Sequence, residues 1–195
     1  MSQRRATIKR KTKETDIELV LDLDGTGLVD VDTGLGFFDH MLTALGRHAR
    51  FDLKLHCAGD LEVDDHHTVE DCAIALGEAI DQTLGERRGI LRFGHAYAPL
   101  DEALARVVVD LAGRPSPVIN LELRREMLGD VACENLHHFF VSMANRSKAA
   151  LHVDVLRGDN DHHRAEAAFK ALALALRQAV KRDGTDEIPS TKGVL

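Results

Sequence analysis

The amino-acid sequence predicts an α+β fold made of two similar halves in tandem, with sheets packed on helices. A His-His-x-x-Glu motif at residues 66–70 recurs 96 residues later at 162–166, and such a repeat indicates a duplicated structural unit. In each half an alternating segment ending in Gly-Asp precedes the motif, and a helical apolar period follows it. No Pro-, Gly- or Ser-rich linker separates the halves, so we expect one domain over 1–195, with repeats at approximately 1–92 and 93–195.

Alternating apolar and polar residues predict the strands. The first strand is expected over 17–23, and another over 53–55, shortly before Gly59-Asp60. In the second half the same pattern predicts strands over 104–111, 118–123 and 151–155, the last of them shortly before Gly158-Asp159.

Apolar residues at helical spacing predict the helices that follow the motifs. They are Val69, Cys72, Ala73, Leu76, Ile80 and Leu84 in the first half, and Ala165, Phe169, Leu172, Leu176 and Val180 in the second. Both motifs are therefore expected at helix starts. Shorter helices are predicted to begin near His40 and His138, each of which lies beside a Phe-Phe pair upstream of a motif.

The composition favours a soluble, unexported protein. The chain has 195 residues, 44% of them hydrophobic and 29% charged, as ordinary globular proteins have. A net charge of −7 gives no reason to expect nucleic-acid binding, and no apolar run is long enough to span a membrane. The basic segment 1–13 is followed by no apolar signal region. Three cysteines without C-x-x-C spacing indicate neither a disulfide framework nor a thiolate metal site, so a reducing cytoplasm is the expected compartment.

The two motifs have the residue types of a transition-metal centre. Residues three and four apart share a helix face, so Glu70 should lie beside both His66 and His67. The two adjacent histidines diverge by about 100°, so one motif can face two ions. Imidazole and carboxylate ligands without thiolate suit Mn, Fe, Co, Ni or Zn.

Each half also has one upstream histidine in register with its motif. The total is eight candidate ligands, or four for each of two ions, and the sequence does not say which ligand serves which ion. His137 is a rival to His138 in this role, although the adjacent Phe-Phe pair favours His138. The candidate metal ligands are His40, His66, His67, Glu70, His138, His162, His163 and Glu166.

Three other functions remain open on these residues. The segment 21–26, Leu-Asp-Leu-Asp-Gly-Thr, is similar to the nucleophile motif of haloacid-dehalogenase-like phosphatases, although it can equally be a strand followed by a glycine turn. The tandem repeat and the absence of an alternating βα series argue against the phosphatase. A metal-storage or metal-sensing protein would use the same ligands, and so would a two-metal hydrolase.

Ordered segments along nearly the whole chain resemble the imidazoleglycerol-phosphate dehydratase family. These segments are Thr12-Lys13-Glu14-Thr15, Asp24-Gly25-Thr26-Gly27, Phe38-Asp39-His40-Met41-Leu42, Asp65-His66-His67-Thr68-Val69-Glu70-Asp71, Pro99-Leu100-Asp101-Glu102, Gly113-Arg114-Pro115, His138-Phe139-Phe140, the stretch from His162 to Lys170, and Pro189-Ser190-Thr191-Lys192-Gly193. The resemblance implies a ribosomal protein S5 domain 2-like fold. It also implies a monofunctional hydro-lyase of histidine biosynthesis that converts D-erythro-imidazole glycerol phosphate to imidazole acetol phosphate and water.

The resemblance further implies the roles of particular residues. The eight candidate ligands would bind two Mn²⁺ ions per subunit, and Glu14 would be the catalytic base and contact the substrate. The remaining substrate-binding residues, chiefly for the phosphate, would be His48, Arg92, Arg114, Lys170, Ser190 and Lys192. Thr43-Ala44 departs from a common Asp-Gln of the family, which puts one polar substrate contact in doubt.

The resemblance also implies a closed homo-oligomer of 24 subunits with cubic symmetry, in which neighbouring subunits share active sites. A physical reason is independent of the family. Ligand clusters that lie at separate places on one chain can be completed by a neighbour, and metal ions that bridge subunits then stabilise the assembly by mass action.

Overall fold

Two four-stranded sheets enclose four helices in the computed structural model, which describes residues 4–195. The first sheet contains β1 (Arg5–Lys11), β2 (Thr15–Asp22), β3 (Val29–Asp32) and β4 (Asp52–Gly59), in the order β1-β2-β4-β3. The second contains β5 (Phe93–Leu100), β6 (Ala103–Asp110), β7 (Ser116–Asn120) and β10 (Ala150–Arg157), in the order β5-β6-β10-β7. A short hairpin of β8 (Met127–Leu128) and β9 (Val131–Ala132) lies between β7 and β10 in sequence.

The two halves repeat the same pattern, which confirms the predicted α+β fold with a tandem duplication. In each sheet three strands pair antiparallel and the fourth, β3 or β7, pairs parallel to β4 or β10. The helices are α1 (Gly36–Ala49), α2 (His66–Leu84), α3 (Cys133–Arg146) and α4 (Asp161–Ala179). Helices α2 and α4 begin at or beside their motifs and pack on the first and second sheet respectively.

Each long helix also packs against the short helix of the opposite half. Helix α2 contacts α3, and α4 contacts α1. Four phenylalanines at this crossing, Phe38, Phe139, Phe140 and Phe169, are fully buried with ring centroids 4.9–5.6 Å apart. Burial of one such ring contributes about 1.5–3 kcal/mol, so this aromatic cluster is a substantial link between the halves. One continuous apolar core therefore includes both sheets and all four helices.

Small residues let the motif helices approach their neighbours closely. A Cβ added to Gly94 on β5 would lie 2.0 Å from the carbonyl oxygen of Ala175 on α4. One added to Gly77 on α2 would lie 2.6 Å from that of Met143 on α3. Since neither position tolerates a side chain without a backbone shift, these glycines determine how α2 and α4 are seated.

The predicted elements are present with shifted ends, and the prediction missed others. Helix α1 begins at Gly36 and α3 at Cys133, each before the histidine where a helix was expected. Strands β1, β3 and β5 were not predicted. Strand β1 is mostly charged, and β5 buries mainly small residues, so neither shows a clear apolar alternation. Strand β3 alternates Val with Asp, but over only four residues. Within residues 4–195, no helix is long and apolar enough to cross a membrane.

The phosphatase alternative is wrong, because the segment after β2 folds around another carboxylate. The Asp52 Oδ1 atom accepts hydrogen bonds from the backbone N–H groups of Thr26 (2.8 Å), Gly27 (3.0 Å) and Leu28 (2.9 Å). The strand that precedes this loop lies between antiparallel neighbours, whereas that phosphatase class needs a Rossmann-like parallel sheet. The Asp-Gly-Thr sequence is therefore a structural turn.

Asp52→Asn is expected to lower the free energy of unfolding by about 1–2 kcal/mol at pH 7, because hydrogen bonds to a charged acceptor are replaced by bonds to a neutral one. The backbone N–H of Leu28, followed by those of Thr26 and Gly27, lowers the pKa of Asp52 below its usual 3.8. The ionised Asp52 thus stabilises the fold fully above pH 3.8 and progressively less below it.

Denaturant unfolding of the metal-free protein at pH 7 and at pH 3 measures this effect. The difference between wild type and variant should shrink at the lower pH, and the exposed Asp32→Asn should change stability by less than about 0.5 kcal/mol at either pH. An equal effect of Asp52→Asn at both pH values would contradict the explanation.

Candidate active site

Two clusters of histidine and glutamate lie where the motif helices meet the short helices of the opposite half. In the first cluster, Glu70 of α2 lies between His66 and His138: its Oε1 is 3.0 Å from His138 Nε2, and its Oε2 is 3.7 Å from His66 Nε2. The two imidazole rings stack with centroids 5.1 Å apart. The upstream histidine of the second half therefore joins the motif of the first half.

The second cluster has the same composition with the halves exchanged. Glu166 Oε2 of α4 lies 3.2 Å from His162 Nε2 and 3.2 Å from His40 Nε2 of α1. In each cluster one potential ligand atom from every member lies within 4.8 Å of the others. His137, the rival of His138, is exposed and belongs to neither cluster.

This geometry fits a divalent transition-metal ion. Three of the four reported histidine–glutamate distances are 3.0–3.2 Å, and such atoms subtend roughly 90–100° at an ion about 2.1 Å from each of them, which is near an octahedral angle. Two histidines and one carboxylate on one side of an ion leave the other coordination positions for further ligands. The donor set therefore suits a catalytic metal better than a closed structural site.

Glu166 remains an anion in this site. Burial raises its pKa, but hydrogen bonds and charge interactions with Lys170 and His40 outweigh burial and lower the pKa to about 2. Lys170 Nζ lies 2.7 Å from Glu166 Oε1. His48 is close by, and its pKa is lowered by burial and by the charge of Lys170. Two of the predicted substrate-binding residues thus lie beside the second cluster.

The second histidine of each motif points away from the clusters. His67 Nδ1 lies 3.1 Å from Asp60 Oδ2, and its Nε2 lies 3.7 Å from Glu14 Oε1. His163 Nδ1 lies 2.8 Å from Glu102 Oε2. These carboxylates raise the pKa of both histidines. Consequently the eight predicted ligands form two groups of three and two single histidines within one chain.

The other predicted phosphate-binding residues lie at the far end of α4. The backbone N–H of Arg92 donates to Ala179 O (2.9 Å), and its Nη1 donates to Pro189 O (2.8 Å). Ser190 and Lys192 follow on the same turn, where the backbone N–H of Lys192 donates to Ser190 Oγ. Arg114 is exposed next to Gly113, which abuts the terminal Leu195.

The length of α4 separates this group from the second cluster. Residues 166 and 179 lie roughly 20 Å apart, because an α-helix rises about 1.5 Å per residue. The length of strand β5 indicates a similar separation. The strand runs roughly 25 Å from Phe93, which follows Arg92, to Leu100, which lies near His163. Arg92, Ser190 and Lys192 therefore cannot contact a small substrate held at the second cluster of their own chain.

Sequence reasoning missed the residues that orient the histidines. Asn135 Oδ1 lies 2.9 Å from His66 Nδ1. The carboxylates of Asp60 and Glu102 contact the Nδ1 atoms of His67 and His163, the two histidines that point away from the clusters and are called the outward histidines below. The donors to Glu102, first the backbone N–H of Asn160 and then His163, lower its pKa to about 2. The only sequence signal was that Glu102 belongs to a family-like segment and that Asp60 follows a turn glycine.

Comparisons with known proteins agree on one family. The sequence model of imidazoleglycerol-phosphate dehydratase matches residues 33–176. The chain is 52% identical to the Candida glabrata protein of that name, over 97% of this chain and 99% of the relative. It is 60% identical to the Phytophthora nicotianae protein over 98% of this chain, which spans 42% of that longer relative.

Two solved structures of this family have the same fold. The Staphylococcus aureus enzyme is 32% identical, with a TM-score of 0.83 over 91% of this chain and 99% of its own. The Pyrococcus furiosus enzyme, solved in complex with (S)-C348, is 37% identical, with a TM-score of 0.84 over 96% of this chain and 100% of its own.

If each cluster binds one metal ion, Glu70→Gln and Glu166→Gln should each lose the ion of its own cluster and keep the other, because the clusters share no residue and each is centred on one carboxylate. Elemental analysis of protein loaded with Mn²⁺ and then desalted measures the ratio of metal to chain. The exposed Glu86→Gln, which removes only an ion pair with Arg88, is the control and should keep both ions. Full metal content in either cluster variant would contradict its role as a ligand.

Proposed function

Because the chain belongs to the imidazoleglycerol-phosphate dehydratase family, the hydro-lyases of histidine biosynthesis, we propose that it converts D-erythro-imidazole glycerol phosphate to imidazole acetol phosphate and water with two Mn²⁺ ions per subunit. The family resemblance found in the sequence is thereby confirmed, and a metal sensor or a hydrolase is excluded. The observation that carries the proposed metal dependence is the duplicated cluster of two histidines and one glutamate.

The reaction needs a base, because the proton to be removed is on a carbinol carbon and is not acidic. Metal ions bound at the clusters would supply positive charge that stabilises negative charge developing on the imidazole ring. The base takes the C–H proton, the neighbouring C–O bond breaks, and the departing hydroxide takes up that proton from the base to leave as water. The resulting enol tautomerises to the ketone. A suitable base is a side chain that lies close to the metal-binding histidines and is open to substrate.

Glu14 is the proposed base, and its turn is fixed against the motif helix. The backbone O of Glu14 accepts from Asp60 N (3.0 Å), and its N–H donates to Thr12 Oγ1. The next residue, Thr15, donates its hydroxyl to the buried Asp71 of α2 (2.5 Å). The half-exposed Glu14 side chain is thereby held near His67 while it remains open to substrate.

Arg92 keeps donors for the substrate phosphate although it is already anchored. Its Nε and Nη2 donate to Asp110 (2.7 and 3.0 Å), and its Nη1 donates to Pro189 O. A guanidinium has five N–H groups, so two remain for an anion. Its anchors hold the guanidinium in one orientation, and Ser190 and Lys192 on the same turn add a hydroxyl and a charge.

Neighbouring subunits are proposed to complete each active site. Two observations support this: the outward histidines lie outside both clusters, and the Arg92 group lies roughly 20 Å from the second cluster. A homo-oligomer, which we propose to be the 24-subunit shell, would bring the outward histidine of one chain to a cluster of another.

The three cysteines, all buried and unpaired, are consistent with the proposed cytoplasmic location.

Glu14→Gln is expected to lower the turnover rate about 10²- to 10⁴-fold, the contribution of a general base, while Mn²⁺ content stays unchanged. Direct assay of ketone formation together with elemental analysis measures both quantities. Glu18→Gln, which changes an exposed carboxylate on the following strand, is the control and should keep full activity. Wild-type turnover in Glu14→Gln would show that the base is another residue.

Mixing two inactive variants should restore activity if neighbouring subunits share each site. Glu166→Gln removes a proposed metal ligand. Arg92→Ala removes one of the residues proposed to bind the substrate phosphate, at the other end of α4. After joint dissociation by chelation and reassembly with Mn²⁺, some sites should receive both intact parts, so ketone formation should rise well above that of either variant. Activity no higher than the sum of the two would indicate that each chain forms its own complete site.

A further inference from the structure

Asp60 and Glu102 each accept a hydrogen bond from the outward histidine of one motif, although neither belongs to the predicted metal or substrate residues. We propose that they are positioning residues that hold His67 and His163 with Nε2 free to bind a metal ion, an inference that rests on the proposed metal dependence. Asp60 Oδ1 and Oδ2 lie 3.2 and 3.1 Å from His67 Nδ1, and Glu102 Oε2 lies 2.8 Å from His163 Nδ1.

The chemistry of imidazole explains why a carboxylate is needed at this atom. A neutral imidazole has one N–H and one lone pair, and an ionised carboxylate can only accept. A carboxylate at Nδ1 therefore selects the tautomer with the proton on Nδ1 and leaves the lone pair on Nε2. The same contact fixes the ring plane, so Nε2 points in one direction before an ion or a neighbouring subunit arrives.

Both residues are themselves anchored, Glu102 through its carboxylate and Asp60 through its backbone. Glu102 Oε1 accepts from the backbone N–H groups of Asp159 (3.0 Å) and Asn160 (2.9 Å), directly before α4. Asp60 is held through its backbone, whose N–H donates to Glu14 O and whose O accepts from Val63 N. Each carboxylate thus connects its histidine to the segment that precedes the motif helix.

The two halves place this carboxylate from different positions in the repeat. Asp60 follows Gly59 at the end of β4, and its counterpart in the second half is Asp159, after Gly158. His163 nevertheless bonds to Glu102 on the β5–β6 turn, and Asp159 contributes only a backbone donor to it. The repeat counterpart of Glu102 is Glu14 on the β1–β2 turn, which lies 3.7 Å from Nε2 of His67 and not at its Nδ1. Non-equivalent residues thus supply the carboxylate at Nδ1 in the two halves, which points to a shared requirement at the two histidines.

Two substitutions remove the acceptor while the fold is kept. Asp60→Ala deletes both oxygens. Glu102→Gln keeps one oxygen, which the two backbone N–H groups before α4 engage, so its NH₂ group faces His163 Nδ1 and cannot accept. Asp60→Asn is the conservative variant, because its remaining oxygen can still face His67. Asp30→Ala is the matched control, since it removes the carboxylate beside His56 (3.4 Å), a histidine outside the metal set.

Mn²⁺ titration of the metal-free full-length proteins, followed by the electron paramagnetic resonance signal of free Mn²⁺, gives the affinity. Loss of an orienting partner typically weakens metal binding about 10- to 100-fold, so Asp60→Ala and Glu102→Gln should show a loss of that size. Asp60→Asn should be affected less, and Asp30→Ala should match wild type. Nitrogen-15 spectra of the metal-free proteins should show that Nδ1 of the affected histidine is no longer the predominantly protonated nitrogen.

The outcomes separate this inference from the proposed function. If wild-type protein binds no Mn²⁺, the proposed metal dependence fails, and the positioning role toward a metal fails with it. If wild type binds Mn²⁺ but Asp60→Ala and Glu102→Gln bind it equally well, with unchanged histidine tautomers, the positioning role alone is overturned.

Discussion

The crosswise packing of the helices is the constraint on which the site depends. Each motif helix carries a histidine and a glutamate, but the third member of its cluster is on the short helix of the other half. The clusters exist only because α2 contacts α3 and α4 contacts α1. The buried phenylalanines and the close approach at Gly77 maintain this arrangement, so packing far inside the molecule determines distances of about 3 Å at its surface.

Helix geometry explains both the clusters and what one chain lacks. Residues four apart put His66 beside Glu70 and His162 beside Glu166, whereas the histidine in between points about 100° away. The outward histidines meet carboxylates of their own chain through Nδ1, which keeps Nε2 available. The predicted phosphate-binding residues Arg92, Ser190 and Lys192, at the far end of α4, are also too distant to act with the second cluster of their own chain. The proposed division of the site between subunits would account for both features.

The sequence was sufficient to predict the motif helices and the proximity of His66 to Glu70 and of His162 to Glu166, because those depend on local period. The expected proximity of Glu70 to His67 is wrong, since His67 points away from the cluster. It could not predict β1, where charged residues alternate with only two buried apolar ones, or β5, where Gly94 and Ala98 are buried by close backbone approach. It also left open which upstream histidine joins which motif, since that depends on packing between the halves. Asp60 and Glu102 act through contacts with histidines 7 and 61 residues away, and no spacing rule identifies them.

Anomalous diffraction at the manganese edge, from crystals of the Mn²⁺-loaded protein, tests the central claim most directly. The account predicts two anomalous peaks per chain, one at the cluster centred on Glu70 and one at the cluster centred on Glu166. It further predicts that the outward histidine of a neighbouring chain, His67 or His163, coordinates each ion through Nε2. A single peak, peaks away from both clusters, or two ions coordinated only by residues of one chain would contradict it.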